Sequence, residues 1–165
     1  MNDQHHVTTP TASRPHIPGY GIPTTVEGTL PWSHAEEQLK AARNYWVSST
    51  RPDGRPHARP VWGVYVNGTV YFGGSPEVRW ARNLAKNPAV VVHLESGDQV
   101  VILEGTVEKH TEENTSAELL TQIDDAYEAK YDMRHGTPVW QLKPHVAFAW
   151  TRFPDDTTRW KFESR

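Results

Sequence analysis

The pattern of apolar and polar residues along the chain predicts a mostly antiparallel β protein. Short segments in which apolar residues alternate with polar ones, or predominate, are typical of strands. The strongest turn signal between them is Asn67-Gly68, which indicates a hairpin with a type I′ turn. Consecutive hairpins of this kind favour a closed or nearly closed barrel. The predicted strands cover residues 45–50, 57–66, 69–72, 90–95, 99–108, 139–142, 145–152 and 158–162.

Three segments carry the start signals and spacing of helices. Ser33 followed by Glu36, and Thr115 followed by Glu118, match the capping box, in which two side chains satisfy free backbone N–H groups. Ser75 stands directly before a proline, which is typical of a cap and a first helical position. The first two helices are predicted to end near residues 44 and 86. The third has apolar residues at helical spacing, namely Leu119, Leu120, Ile123, Ala126 and Tyr127.

Residues 1–30 form an N-terminal arm that differs in composition from the domain predicted over residues 31–165. The arm shows no hydrophobic period, and its prolines exclude a helix or a central strand. We expect the first dozen residues to lack fixed structure. The rest of the arm either remains unstructured or lies in grooves of the body or of a partner subunit. The prolines concerned are Pro10, Pro15, Pro18 and Pro23.

Composition limits the class of protein. The 165 residues suffice for one domain with a real core, and the net charge of -3, without a basic run, argues against nucleic-acid binding. Cysteine is absent, which excludes disulfides and thiolate metal sites, and the histidines show no ligand spacing. No apolar run is long enough to span a membrane and no secretory signal is present, so we expect a cytoplasmic protein. Seven tryptophans suit a stacked ligand or an aromatic dimer interface.

Residues 51–87 hold the main candidate for chemistry. Arg59 lies midway along a predicted strand, and Arg79 and Arg82 lie near the start of the following helix. A helix N-terminus and arginine side chains both favour phosphate, and Gly73-Gly74 between them leaves room for a flat ring. The alternative is a set of solvated arginines. Alternation along the strand places Ala58, Pro60, Trp62, Val64 and Val66 on the core face and His57, Arg59, Val61, Gly63 and Tyr65 on the other.

Several motifs in their order and spacing resemble the flavin-binding split β-barrel family related to pyridoxamine 5'-phosphate oxidase. The resemblance covers about residues 31–162. The motifs that carry it are Tyr45-Trp46-Val47-Ser48, Arg51-Pro52-Asp53-Gly54-Arg55-Pro56, Pro60-Val61-Trp62, Tyr71-Phe72-Gly73, Arg79 with Ala81-Arg82-Asn83-Leu84, Asn87-Pro88, Val101-Ile102-Leu103-Glu104-Gly105 and Thr158-Arg159-Trp160-Lys161-Phe162.

The resemblance implies a mainly β fold, a six-stranded antiparallel split barrel with Greek-key topology and flanking helices. It implies a homodimer with FMN in a groove between the subunits. Arg59 and Arg79 would bind the phosphate, and the main chain at residues 71–73 would contact the cofactor. Arg159 and Trp160 would reach the ring from the C-terminal strand, in the partner subunit. The implied cofactor residues are Arg59, Pro60, Val61, Trp62, Tyr71, Phe72, Gly73, Arg79, Trp80, Arg159 and Trp160.

Two departures from the family pattern bear on function. Trp80 stands where family members often have a basic residue, and Lys161 stands where the oxidase has the histidine of an Arg-x-His pair. We therefore expect an FMN-dependent oxidoreductase that acts on an unidentified small molecule other than pyridoxamine 5'-phosphate. One alternative is a reductase that uses a deazaflavin coenzyme, whose acidic tail needs a more extended basic groove that Arg51, Arg55 and Lys86 could supply. Another is a flavin- or haem-binding protein without catalysis. No side chain stands out as a general acid.

Overall fold

The computed structural model describes residues 9–163 and has one nine-stranded sheet with three helices. All strand pairs are antiparallel. The strands are β1 (Thr11–Ser13), β2 (Tyr45–Thr50), β3 (Pro56–Val61), β4 (Gly63–Val66), β5 (Thr69–Gly73), β6 (Ala89–His93), β7 (Val100–His110), β8 (Val139–Trp150) and β9 (Thr158–Lys161). The helices are α1 (Trp32–Ala41), α2 (Arg79–Lys86) and α3 (Ala117–Tyr131).

The sheet is open, which confirms a split barrel and corrects the expectation of a closed or nearly closed one. Its strands follow the order β1-β9-β8-β7-β6-β2-β3, and β5 pairs with both β8 and β4. The opening arises because the segment predicted as one strand over residues 57–66 divides at Trp62. Its first part pairs with β2 and its second part with β5. The division leaves β3 at an edge of the sheet, where it pairs with β2 alone.

The division also changes which side chains face the core. Ala58, Pro60 and Trp62 are exposed, although alternation along an undivided strand assigned them to the core. His57, from the opposite set, is buried. Beyond the bend the expected assignment holds in part, since Val64 is buried and Val66 is half-buried, but Gly63 from the opposite set is buried as well.

The β7–β8 pair is the longest in the sheet and contains the predicted bend at Gly105. The register shifts between Glu104, which pairs with Val146, and Gly105, which pairs with Pro144, so His145 is the extra residue on β8. A Cβ at Gly105 would overlap the Lys143 carbonyl oxygen and lie 2.8 Å from the Pro144 Cα. The bulge accommodates the proline within β8, so the two strands predicted over residues 139–142 and 145–152 form one.

The predicted helices form, but their starts differ from the expected caps. Neither α1 nor α2 has a side-chain cap. The Ser75 Oγ accepts a hydrogen bond from the Glu77 N–H at 3.2 Å, which closes a turn before α2. In α3 the cap accepts from the Leu119 N–H. The N-cap residues are Pro31, Val78 and Ser116, in place of the expected Ser33, Ser75 and Thr115.

Four of the seven tryptophans are buried, and they build the main core between the sheet, α1 and α2. Trp80 packs edge-on against Phe72 and Trp140, with ring centroids 5.3 and 4.8 Å apart. Trp160 packs in the same way against Trp32 at 5.3 Å. A second, smaller cluster lies under α3 and consists of Val64, Tyr71, Ile123, Tyr127, Tyr131 and Val139.

The described part of the arm lies against the body. Thr11–Ser13 pairs with β9, although we expected the first dozen residues to lack structure; residues 1–8 lie outside the described part. The Arg14 guanidinium donates four hydrogen bonds to backbone carbonyls of the arm and of the segment before β9. Across residues 9–163, no helix has both the length and the apolar character needed to cross a membrane.

Candidate functional site

The positive charges of three arginines act on one buried histidine, and we call this group the basic cluster: Arg51, His57, Arg59 and Arg79. His57 is only 6% exposed. Burial lowers the pKa of His57, and the positive charges of Arg59, Arg51 and Arg79 lower it further. Within residues 9–163, neither Arg59 nor Arg79 has a carboxylate partner at salt-bridge distance. The cluster therefore carries positive charge that acidic side chains of the described chain do not neutralise.

Each arginine reaches the cluster from a different element. Arg59 lies on the edge strand β3, opposite Val47 of β2. Arg79 is the first residue of α2, which packs against β2 and β3. Arg51 begins the turn between these strands, in which Gly54 adopts a left-handed φ of 84° and its N–H donates to the Arg51 carbonyl. The two arginines predicted to bind phosphate and Arg51 thus all act electrostatically on His57, and their role in phosphate binding remains a prediction.

A buried hydrogen bond between Asn83 and Ser49 lies next to His57 of the basic cluster. The Asn83 Nδ2 of α2 donates to the Ser49 Oγ at 3.0 Å, and Ser49 lies opposite His57 in the β2–β3 pair. The Arg51 Nη2 lies 3.4 Å from the His57 Nδ1, so Nδ1 accepts and Nε2 carries the proton. Within the described chain the His57 Nε2 and the Asn83 Oδ1 have no hydrogen-bond partner. An unpaired buried donor beside three guanidinium groups fits a multiply charged anion such as a phosphate.

The predicted space for a flat ring beside Gly73 and Gly74 is filled in this chain. A Cβ at Gly73 would overlap the His135 imidazole, and one at Gly74 would lie 2.7 Å from the Trp80 ring. The side chains of Trp80, Tyr71 and Phe72 are all buried. The expectation that the glycines leave an open space is therefore wrong for the single chain. Main-chain contacts at residues 71–73 remain a prediction.

Arg159 and Trp160 lie far from the basic cluster. A row of paired residues crosses the outer face of the sheet from β3 to β9, over five strand spacings of about 4.8 Å each. Trp160 is 1% exposed and its side chain lies in the core. Within the sheet of one chain, the strand of Arg159 and Trp160 is therefore not a neighbour of the strand of Arg59. The paired row is Pro60, Trp46, His93, Ile102, Phe148 and Arg159.

Arg159 instead lines an apolar cleft of about 550 Å³ between the arm and the outer face of the sheet. The arm forms one wall with Pro15, His16 and Ile17. The sheet forms the other wall with Ile102, Val146, Phe148 and Trp150.

The C-terminal turn of α3 holds the bend at Trp62, and sequence reasoning missed it. The Tyr127 hydroxyl donates to the Trp62 carbonyl at 3.2 Å. The Tyr131 hydroxyl accepts from the Gly63 N–H at 2.9 Å. The Lys130 Nζ donates to the carbonyls of Ala42 and Gly63 and to the Tyr45 hydroxyl, at 2.8 to 3.1 Å. Burial lowers the pKa of Lys130 to about 8. The spacing of the two tyrosines, four residues apart, was the available signal.

Val61 is half-buried at the end of β3, and Trp62 is exposed beside it. The Trp62 indole stacks on the Tyr131 ring, with centroids 4.5 Å apart and an interplanar angle of 4°. The main chain of residues 59–62 therefore follows the exposed edge of β3, from the basic cluster to this stacked pair.

Among solved structures, a conserved hypothetical protein from Mycobacterium tuberculosis is similar to this chain, with a TM-score of 0.62 and 18% identity over 74% of this chain and 85% of that one. An F420 reductase has a TM-score of 0.52 and 21% identity, over 68% of this chain and 94% of its own. A heme binding protein from Mycobacterium smegmatis has a TM-score of 0.59 and 21% identity, over 78% of this chain and 58% of that one. At such identities these likenesses show the fold alone.

No curated protein matches the sequence. The family described as pyridoxamine 5'-phosphate oxidase matches residues 32–151, from the start of α1 to the end of β8. This match covers well over half of the chain and includes the basic cluster. The chain therefore belongs to the pyridoxamine 5'-phosphate oxidase family.

Proposed function

We propose that this protein is an FMN-dependent oxidoreductase that acts on a small molecule. The observation that carries the proposal is the basic cluster, in which Arg59 and Arg79 lack acidic partners within residues 9–163 and both act electrostatically on His57, whose buried Nε2 is unpaired. Arginine binds phosphate in a bidentate manner, and several such contacts at one place suit the terminal phosphate of a mononucleotide cofactor.

In this proposal the cofactor extends from the basic cluster along the edge of β3. A bound flavin would supply hydride chemistry, and the protein supplies binding, orientation and electrostatics. Arg59 and Arg79 hold the phosphate, while the backbone groups on the edge of β3 that faces away from β2 have no ladder partner in the described sheet. Such groups suit the polar rim of a flat ring.

We further propose a homodimer in which a second copy completes the ring site. Two observations support it. The space beside Gly73 and Gly74 is occupied within the chain, so the ring needs a wall from elsewhere. The outer face of the sheet also carries half-exposed apolar side chains, including Ile102 and Phe148, together with Arg159. A second copy on this face would bring its own C-terminal strand toward the basic cluster, as the family resemblance implies.

A deazaflavin coenzyme is the second candidate, and the position of Arg51 favours it. Its longer acidic tail needs more positive charge than a single phosphate, and Arg51 adds a third guanidinium to the cluster. The F420 reductase with a similar fold binds a cofactor of this class by its name. Of the other residues expected to serve this tail, Arg55 is paired with Asp53, and Lys86 is at the far end of α2, about 10 Å from Arg79 along the axis.

Mass spectrometry of the cofactor that copurifies with the protein, followed by titration with FMN and with the deazaflavin coenzyme, tests the proposal. We expect a bound flavin, and turnover with a reductant and acceptor panel. Arg51→Gln should weaken binding of the deazaflavin coenzyme more than that of FMN if the tail uses Arg51. Tight binding without turnover would identify a carrier or sensor. Failure of both cofactors to bind would contradict the proposed function.

A further inference from the structure

Trp62 is the most exposed of the seven tryptophans, at 40%, and its position is held by the rest of the protein. It lies at the bend between β3 and β4, where its carbonyl accepts from Tyr127 and the neighbouring Gly63 is bonded by Lys130 and Tyr131. A single exposed apolar side chain is ordinary on a protein surface, and what distinguishes Trp62 is the set of hydrogen bonds that fixes the main chain on its C-terminal side. The bend therefore presents the indole in a fixed orientation.

One face of the indole is covered and the other is open. Tyr131 stacks in parallel on the inner face at 4.5 Å. The Arg43 guanidinium lies 5.4 Å from the centroid of Trp62 and 5.4 Å from that of Tyr131. A group equally distant from both rings lies beside the pair and cannot cover the outer face of either. We call these three residues the Trp62 stack: a flat open surface with a positive charge at its edge.

Arg43 has no carboxylate partner at salt-bridge distance within residues 9–163. Its side chain is exposed, so the guanidinium can turn toward a ligand on the neighbouring indole. Flat conjugated rings stack on tryptophan with a preference for offset parallel geometry. A negatively charged substituent on such a ring would meet Arg43 at the edge of the stack.

We propose that the Trp62 stack is a binding site for a flat aromatic molecule that bears a negative charge. The identification of this ligand as the substrate of the reaction rests on the proposed oxidoreductase function. Trp62 follows directly after Val61, the last residue of β3, so the stack continues the edge along which the cofactor is proposed to extend. The substrate class is then a planar aromatic anion. Tyr131 and Lys130 are positioning residues, because they hold the bend and the inner face.

The test uses 4-nitrobenzoate as the flat anionic probe. Cyclohexanecarboxylate serves as a probe of equal charge that is not flat, and 4-nitrobenzyl alcohol as a flat probe without charge. Titrations are followed by the indole N–H signal of Trp62 in ¹H–¹⁵N NMR spectra of the full chain, with and without FMN. The signal is assigned from its loss in Trp62→Phe. We expect 4-nitrobenzoate to shift this signal and to bind more tightly than either control probe.

Variants separate the contributions of Trp62 and Arg43 to the binding of 4-nitrobenzoate. Trp62→Leu should weaken 4-nitrobenzoate at least tenfold and Arg43→Gln about three- to tenfold, whereas Trp62→Phe should retain most of the affinity because it keeps a flat ring. Phe153→Leu is the matched control, since Phe153 is 42% exposed and lies on another part of the surface beside Trp150. It should bind as the wild type does.

Equal affinities in Trp62→Leu and Phe153→Leu would overturn the assignment, as would a Trp62 signal that 4-nitrobenzoate does not move because a second copy covers the indole. These outcomes are distinct from failure of the proposed function. If FMN binds and the probe does not, only the Trp62 site is contradicted. If the probe binds at Trp62 and neither cofactor binds, the ligand site stands and its role in a redox reaction is contradicted.

Discussion

The Arg51 Nη2 lies 3.4 Å from the Nδ1 of His57, and this contact joins the turn after β2 to the edge strand β3. It orients the histidine so that its proton is on Nε2, which is buried without a partner in the described chain. Burial, followed by the positive charges of Arg59, Arg51 and Arg79, disfavours a further positive charge on this histidine and lowers its pKa.

The first prediction is that stability falls on acidification through this histidine. The pKa of His57 is lowered from 6.5 in the folded protein, so below pH 6.5 the unfolded chain binds more protons than the folded chain. The free energy of unfolding should therefore decrease as the pH falls below 6.5. Urea unfolding at pH 7.5 and 5.5 measures this change. His57→Asn should lose less stability over that interval than the wild type, and an equal loss in both would contradict the prediction.

Arg14 is predicted to hold the arm to the body. Its guanidinium donates to the carbonyls of Thr25 and Glu27 within the arm and of Asp155 and Thr157 before β9. Hydrogen bonds to a charged donor contribute roughly 1.5–3 kcal/mol each, and partial exposure reduces the net effect. Arg14→Ala should lower the free energy of unfolding by about 2–3 kcal/mol in chemical denaturation. His16→Ala, an exposed change in the same arm, is the control and should have little effect.

Gly105 is predicted to be indispensable to the β7–β8 bulge. A Cβ there would overlap the backbone of Lys143 and Pro144, which cannot move without disturbing the ladder. Overpacking of this kind costs on the order of 1–3 kcal/mol. Gly105→Ala should lower the free energy of unfolding by about 3 kcal/mol. Gly97→Ala is the matched control, since a Cβ at Gly97 meets nothing within 4 Å. Equal stability of the two variants would refute the packing argument.

These elements show how far the fold was predictable. The strand Tyr45–Thr50 forms at its predicted bounds, and Asn67-Gly68 makes the hairpin with positive φ at both residues, 49° and 83°. Such features depend on local alternation and turn chemistry, which the sequence displays directly. The division at Trp62 was hidden because alternation continues through it, while the ladder partner changes from β2 to β5.

The candidate site was predictable in part for a similar reason. We expected Arg59 and Arg79 to share a phosphate, and both act electrostatically on His57 because α2 packs on β2 and β3, although β4 and β5 separate them in the chain. The contributions of Lys130 and Arg14 depend on contacts between residues far apart in sequence, with carbonyl groups that carry no sequence signal. The imidazole of His135, in the loop after α3, occupies the space beside Gly73, and this contact between distant residues also has no sequence signal.

A further prediction concerns the effect of Lys130 on stability at alkaline pH. Burial lowers its pKa from 10.5 to about 8, so between these pH values the unfolded chain binds more protons than the folded chain. The contribution of Lys130 to the free energy of unfolding should rise from pH 8 to pH 10.5. Comparing wild type with Lys130→Met at pH 7.5, 9 and 10 isolates this contribution from other titrating groups. A difference between the two proteins that does not change with pH would contradict the prediction.

The central claim is that the basic cluster binds the phosphate of a flavin-type cofactor, and calorimetric titration of FMN tests it most directly. Arg79→Gln should weaken binding about 10- to 100-fold, the equivalent of roughly 1.4–3 kcal/mol for contacts with a charged group. Arg82→Gln is the matched control, since Arg82 is exposed on the same helix and does not contribute to the lowered pKa of His57. It should bind FMN within about twofold of wild type. Equal weakening in both variants, or none in Arg79→Gln, would contradict the claim.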